Sequence, residues 1–342
     1  MAYIQIKPTD SLFFGSGKPF NAGSDSWTDS LFLPNPSVIW GALFSLLHKE
    51  EIAQKGTNFR TTQEQREKLK IKNIYLYNEE QTTILVPAPL DIFVDSEGKR
   101  YKGEYIDVDF ISNYELPVIN MVDGVDVKPL ENSFIEINSL YQHYVKKSFK
   151  SLILYDFSKV FVADYKIGIE IDKQRGIAEK NHLYRIDLTQ FKKEWSFLIE
   201  YESDIEFNQK GILKLGGESK TAFYQKVNEP IGLQSMKLFK KQTFEQLKDE
   251  DFVKVFFKTP VYFREGWRPK QSGLVCANIG KLISIGGFDM EKNSKNENPI
   301  KEMKKYIPAG SIFVFEKDRD IKIENEDGES YKGFGSFELL TI

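Results

Sequence analysis

Five short stretches of this chain place a cation or an aromatic ring beside glycine. They are Gly15-Ser16-Gly17-Lys18, Leu215-Gly216-Gly217-Glu218-Ser219-Lys220, Gly266-Trp267-Arg268-Pro269-Lys270, Ile285-Gly286-Gly287-Phe288 and Gly333-Phe334-Gly335-Ser336. Glycine permits close backbone approach and turns amides toward anions, a neighbouring Lys or Arg neutralises phosphate, and an exposed ring offers a face to an unpaired base. The combination suits single-stranded RNA, although each loop alone also reads as a structural turn with a buried ring. The first stretch is not the phosphate loop of a nucleoside-triphosphatase. Leu12 stands where the leading glycine is needed, and Pro19 where Ser or Thr must follow Lys18.

Other reactive groups are sparse. Asp107 and Asp109 alternate in Tyr-Ile-Asp-Val-Asp-Phe, which puts two carboxylates on one strand face, but no third ligand or activating partner is evident. The histidines are His48, His143 and His182 and the one cysteine is Cys276, too few for a zinc site of several Cys and His ligands. His48 is placed at the end of the first helix, where a cation complements the dipole. It is also a candidate for a general base in RNA cleavage, with His143 and His182 weaker ones beside aromatic or apolar neighbours. No catalytic residue, metal or cofactor is assigned.

Several elements must position these loops. Residues 3–7 alternate as a strand, and Pro34-Asn35-Pro36-Ser37 opens a helix with Asn35 as cap and Pro36 in the first turn. Ile39, Leu43, Leu46 and Leu47 share one face of that helix. Thr61 and Glu64 fit a capping box before a polar helix, with Glu64 and Lys68 at i,i+4 spacing. Strands are expected at 71–77, 82–86, 195–201, 253–257, 281–285 and 311–316, and a hairpin about Asp327-Gly328.

The composition bounds the function. At 342 residues, with 41% hydrophobic and 14% aromatic residues, the chain holds ample core for two domains. With 47 Lys and Arg against 50 Asp and Glu, its net charge of −3 argues against a free, nonspecific nucleic-acid binder. Charge is nevertheless segregated: residues 91–136 carry net −7 and residues 140–193 net +5. The longest apolar stretch, 38–47, falls far short of the roughly 20 residues of a membrane span. With a single cysteine and no secretory pattern at its start, the chain reads as cytoplasmic.

The linear order of motifs resembles the RAMP subunit of type III-B CRISPR effectors, the Cmr complexes of antiviral defence, that holds the guide RNA's 5′ handle. The resemblance rests on Asp10-Ser11-Leu12-Phe13-Phe14 with Lys18-Pro19-Phe20, then Leu33-Pro34-Asn35-Pro36-Ser37 leading into Trp40-Gly41-Ala42-Leu43. Gly168-Ile169-Glu170-Ile171-Asp172 through Arg175, Ala178-Glu179 and Leu183-Tyr184 continue it. Gly217-Glu218-Ser219-Lys220, Gly266-Trp267, Ile285-Gly286-Gly287-Phe288-Asp289, Pro308-Ala309-Gly310-Ser311 and Gly333-Phe334-Gly335 complete it.

The resemblance implies an α+β fold of two ferredoxin-like, RRM-related RAMP units with insertions. Residues 1–200 would form the first unit, with an acidic insertion near 91–138, and residues 201–342 the second. It implies a noncatalytic RNA-binding subunit that pairs with the large polymerase-type subunit and caps the filament of backbone RAMP subunits, meeting target RNA only through the guide. On this reading Lys18, Arg175, Lys220, Arg268 and Lys270 are candidate phosphate contacts, and Trp267 or Phe334 candidate stacking rings. Gly216, Gly217, Gly333 and Gly335 shape the loops. Lys220 stands where relatives often carry Arg, which keeps the charge but loses the bidentate fork. The alternatives are a RAMP-type endoribonuclease that processes precursor guide RNA, using His48 or a tyrosine, and a scaffold that contacts protein alone.

Overall fold

The computed structural model describes residues 1–15, 26–28, 33–55, 63–107, 116–146, 152–172, 174–247, 250–288, 298, 300–317 and 323–342. Lys18, Thr61 and Asp109 lie outside the described residues. In chain order, β1 (Ala2–Pro8) and β2 (Ser26–Thr28) precede α1 (Pro36–Lys55), α2 (Gln63–Glu67), β3 (Leu69–Asn78) and β4 (Thr83–Pro87). Short strands β5 (Ile92–Val94), β6 (Arg100–Lys102), β7 (Glu104–Asp107), β8 (Val118–Met121) and β9 (Lys128–Pro129) occupy the acidic stretch. Then come β10 (Ser133–Glu136), α3 (Ile137–Lys146), β11 (Leu154–Asp156), α4 (Phe157–Val160), and the long pair β12 (Phe161–Ile171) and β13 (Ala178–Phe191). β14 (Trp195–Ser203), β15 (Lys210–Lys214), β16 (Thr221–Val227) and α5 (Ile231–Gln246) follow. The chain finishes with β17 (Phe252–Phe257), β18 (Leu274–Asn278), β19 (Ile283–Phe288), β20 (Ile300–Tyr306), β21 (Ile312–Glu316) and β22 (Phe337–Leu340).

Two antiparallel sheets organise the molecule. The first has eight strands in the order β11-β10-β4-β3-β14-β1-β16-β15, the second four in the order β18-β21-β17-β22. In each, the first strand (β1, β17) lies between the third and the fourth, and the second (β3, β18) lies outside the third. That is the strand order of a ferredoxin-like unit, repeated. The helices are not repeated: α1 links β1 to β3, whereas β17 reaches β18 without one. The first sheet also runs further than expected. A boundary at residue 200 would cut β14, and β15 and β16 still pair with the first sheet as far as Val227.

Period-two alternation sorts the first sheet's side chains between two cores. Ile4, Ile6, Phe197 and Ile199 face α1, meeting Ile39, Leu43 and Leu47. Tyr3, Tyr75, Tyr77, Ile84 and Leu198 face the other way, toward α3, α5 and the inner side of the second sheet at Phe256, Val314 and Leu340. The acidic stretch spans both units, because Tyr105 and Val118 join this shared core while Leu116 packs on the second unit's own core.

Two expectations need correction. His48 does not close α1, which runs seven residues further to Lys55; its ring stacks on Phe44 at 6.1 Å. Asp327-Gly328 does not lead into a strand: Ser330–Lys332 form a 3-10 turn. Asp327 Oδ1 accepts the Glu329 amide at 2.7 Å, and Lys332 is drawn inward to Glu329 at 2.6 Å, which curls the segment back.

The interface between the units holds buried charge. Lys254 Nζ lies 2.6 Å from Asp91 Oδ2, with side-chain exposures of 0% and 2%, between the rings of Tyr144 and Tyr105 at 4.5 and 5.0 Å. The Tyr144 hydroxyl donates to Asp91 Oδ1 at 2.6 Å. Nearby, Lys258 donates to Glu338 and Asn73, and Lys240 also reaches Glu338 at 2.9 Å. Burial lowers the pKa of Lys258 against the pull of Glu338, and pushes the Cys276 thiol up to about 11, so that thiol stays protonated.

Candidate nucleic-acid interface

The predicted site residues fall into two groups. The first gathers around the glycine loop 215–220, which connects β15 to β16. Leu215 and Lys220 close it with an amide-to-carbonyl bond of 3.0 Å, and the Gly217 amide donates to the Phe13 carbonyl at 2.9 Å. Gly216 sits at φ +76°, and a Cβ there would lie 2.5 Å from the same carbonyl. Only glycine fits this close approach. Glu218 and Ser219 also take positive φ, so the turn is held in a left-handed conformation.

Lys220 and the arm formed by β12 and β13 flank this loop. Lys220 Nζ is 2.6 Å from Asp10 Oδ2, and that hydrogen bond lowers the pKa of Asp10. The arm's base is tied in by Ser11 Oγ donating to Asp164 at 3.0 Å, by Leu12 bridging Thr189, and by Lys166 pairing with Glu218 at 3.2 Å. Gly168 has a structural reason, since a Cβ there would meet the Tyr184 ring at 2.1 Å. Arg175 lies in the turn at the arm's tip, 77% exposed and 3.7 Å from Asp172. The hairpin itself carries as many acidic as basic residues, so the excess positive charge of residues 140–193 lies outside it. Its outer face shows Tyr165, Ile167, Ile169 and Leu183, and the Arg185 guanidinium lies 4.5 Å from the Tyr165 ring centre.

The second group belongs to the second unit. Trp267 is half-buried against that unit's core, while Arg268 and Lys270 point to solvent from the same loop. Gly333 and Gly335 adopt φ +97° and +71°. Their turn is strapped inward: Thr259 Oγ1 donates to the Gly333 carbonyl at 2.7 Å and the Gly335 amide donates to the Pro260 carbonyl at 2.8 Å. Phe334 is correspondingly 4% exposed and packs on Tyr306 with ring centres 5.1 Å apart. Its ring serves a small core with Ile285, and neither face is open to a base. Phe334→Leu should lower stability by about 1 kcal/mol or more, because a smaller side chain leaves space in a buried cluster, read as a shift in the urea midpoint. An unchanged midpoint with weakened RNA binding would restore the stacking role.

Sequence reasoning missed the cations of β20. Lys304 lies 4.9 Å from the Tyr262 ring centre and Lys305 donates to Ser284 at 2.8 Å. These side chains stand on opposite faces of β20, and the run Lys301-Glu302-Met303-Lys304-Lys305 was the signal for them. The motif residues Leu33, Pro34, Asn35, Pro36, Pro308 and Ala309 come together on a cleft of about 330 Å³ between the first sheet and the second unit. Among the described residues no cluster of three or more metal-ligating side chains occurs, and no helix is long and apolar enough to cross a membrane.

Comparison with known proteins bears on this arrangement. The family described as "CRISPR-associated protein (Cas_Cmr3)" matches residues 4–342. A curated protein, the CRISPR system CMR subunit Cmr3 of Saccharolobus solfataricus (strain ATCC 35092 / DSM 1617 / JCM 11322 / P2), is 26% identical over 231 residues. That alignment covers 65% of this chain and 62% of the relative, so the chain spans less than two thirds of that protein's length. A chain in the cryo-EM structure of the type III-B Cmr-beta complex bound to cognate target RNA and AMPPnP superposes with a TM-score of 0.54 at 18% identity, covering 92% of this chain and 86% of that one. A second such structure, with cognate target RNA alone, gives 0.51 at 18%, covering 91% and 86%. At that identity the likeness speaks for the fold.

Proposed function

Because the chain belongs to the CRISPR-associated Cas_Cmr3 family, we propose that it is a noncatalytic RNA-binding subunit of a type III-B CRISPR effector. In this role it anchors the 5′ handle of the guide RNA and bridges the large subunit to the filament of backbone RAMP subunits. Two units of ferredoxin-like strand order, split along Val227 to Phe252, carry the binding loops.

The observation that supports the anchoring role most directly is the convergence on one surface of three separate segments. The 10–14 segment, the glycine loop 215–220 and the base of the β12–β13 arm are joined by Lys220–Asp10, Gly217–Phe13 and Lys166–Glu218. Lys220 and Lys166 stand beside this left-handed turn, and two neighbouring cations suit a phosphate. The ion pairs there are exposed, and exposed pairs hold each other weakly. Phosphate oxygens would compete with Asp10 and Glu218 for the same lysines. Arg268 and Lys270 give the second unit further exposed cations in one loop.

The test is to purify the tagged chain from cells bearing its CRISPR locus and sequence the 5′ ends of the RNA that accompanies it. Guide RNAs sharing one repeat-derived 5′ handle, recovered with the large subunit, are expected. Full partner recovery without RNA would overturn the reading in favour of a protein-only scaffold. Uncut precursor would overturn it in favour of the nuclease.

A further inference from the structure

The first sheet is not fully covered. α3 and α5 close over its inner face at Tyr3, Tyr75 and Leu198, and Gln5 of β1 is buried there too, but beyond Gln5, at Lys7 of β1, at Phe223 of β16 and on β15, that face is open. Phe223 is 55% exposed there and Ile212 is 59% exposed. They are directly paired across β15 and β16, and Phe223 is directly paired with Lys7 across β16 and β1. All three therefore stand on one face. Lys210 and Lys214, two residues either side of Ile212, share it and are exposed. The neighbours Ala222 and Tyr224 turn the other way into the core, so Phe223 is held outward by the alternation of a well-paired strand.

A solvated face of an antiparallel sheet is ordinarily polar. Here a large ring and a branched aliphatic chain occupy its centre, with three lysines around them. Lys7 meets one carboxylate, Glu79, at 2.8 Å in a half-exposed pair, which binds weakly. A flat apolar centre with a cationic rim matches a chain of bases and phosphates. The surface also continues the glycine loop: Thr221 follows Lys220 directly, and Thr9, next to Asp10, donates to the Thr221 carbonyl at 2.8 Å.

We infer that this open face is a second contact for single-stranded RNA, with an unpaired base stacked on Phe223 and Ile212 and the backbone held by Lys210, Lys214 and Lys7. The inference rests on the RNA-binding reading above and extends it from the loop onto the sheet.

The experiment measures binding of a short fluorescein-labelled oligouridylate to the full chain by anisotropy across a salt series. Phe223→Ala should weaken binding about tenfold, the size expected for losing one stacked base, and Phe223→Trp should retain it. Lys210→Gln with Lys214→Gln should flatten the salt slope by roughly 1.4, about 0.7 per phosphate contact on a single strand. An ultraviolet crosslink to the peptide 221–227 would support the assignment. Equal affinities for Phe223→Ala and the unmodified chain would overturn it, as would loss of partner protein from the assembly with oligouridylate binding unchanged, which would make the face a protein contact. The probe carries no repeat sequence, so handle anchoring is read separately from guide RNA recovered with Phe223→Ala. Normal guide recovery with lost oligouridylate binding keeps both readings, and normal values of both remove this one alone.

Discussion

Asp91→Ala should remove about 3–5 kcal/mol of folding stability, the usual cost of leaving one member of a buried ion pair alone. The substitution strands the Lys254 ammonium in a site with 0% side-chain exposure, between two tyrosine rings. Urea denaturation of the full chain measures it. Exchanging both partners, Asp91→Leu with Lys254→Met, should recover most of the loss, because the desolvation cost leaves with the charges. If the double variant is as unstable as the single one, the damage is to packing and the electrostatic account fails. The same pair sets a pH dependence. Burial alone would raise the pKa of Asp91, but the charge and hydrogen bond of Lys254 and the Tyr144 hydroxyl outweigh it and hold the carboxyl below its ordinary value. A depressed folded-state pKa gives stability that is complete above the unfolded value, about 3.9, and is lost as pH falls through the folded one. Acid should therefore destabilise the unmodified chain below about pH 4, and Asp91→Asn should lack that component.

Gly216→Val is expected to give the largest loss of function. At φ +76° a β-branched residue is strained, and its Cβ would stand 2.5 Å from the Phe13 carbonyl, a backbone atom that cannot swing aside. The loop must then move off the 10–14 segment, breaking the surface on which Lys220 and Lys166 sit. Guide RNA recovered per mole of chain should fall by about tenfold or more, equivalent to roughly 1.4 kcal/mol or more of binding. Gly98→Val supplies the control, for it has a similar φ of +84° with nothing within 4 Å. That control bears backbone strain at a turn of the acidic stretch and should keep its RNA. Equal RNA occupancy in the two variants would refute a role for the loop.

Local pattern made much of this architecture legible. The apolar face of α1, the alternation of β1 and the strands β3, β4, β17 and β21 are written in spacings of two, three and four residues, and the ordered motifs led to the right family. Non-local facts stayed hidden. No local pattern marks Lys254 as the partner of Asp91, 163 residues away, since lysine normally signals surface. Phe334 looked like an open ring because it lies between two glycines, yet Tyr306, 28 residues earlier, covers it. The end of the first sheet was misplaced for a related reason. β14 pairs with β1 and β3 while β16 pairs with β1 and β15, and nothing in residues 195–227 announces that β14 and β16 will both choose β1. Phe223 escaped notice because alternation shows that a strand has two faces without saying which is covered.

The position of β1 also governs the order of events during synthesis. Ile4 and Ile6 leave the ribosome before every other strand of their sheet, but both hydrogen-bonding neighbours of β1, β14 and β16, come about 200 residues later. At roughly 5–20 residues per second that is a delay of about 10–40 s. Throughout that interval the chain carries an apolar strand with two open edges, and every segment from α1 to the arm is made before the sheet's centre can close. β1 waits for both neighbours, so a ribosome stalled before Trp195 holds a chain in which β1 has no strand of its sheet to pair with.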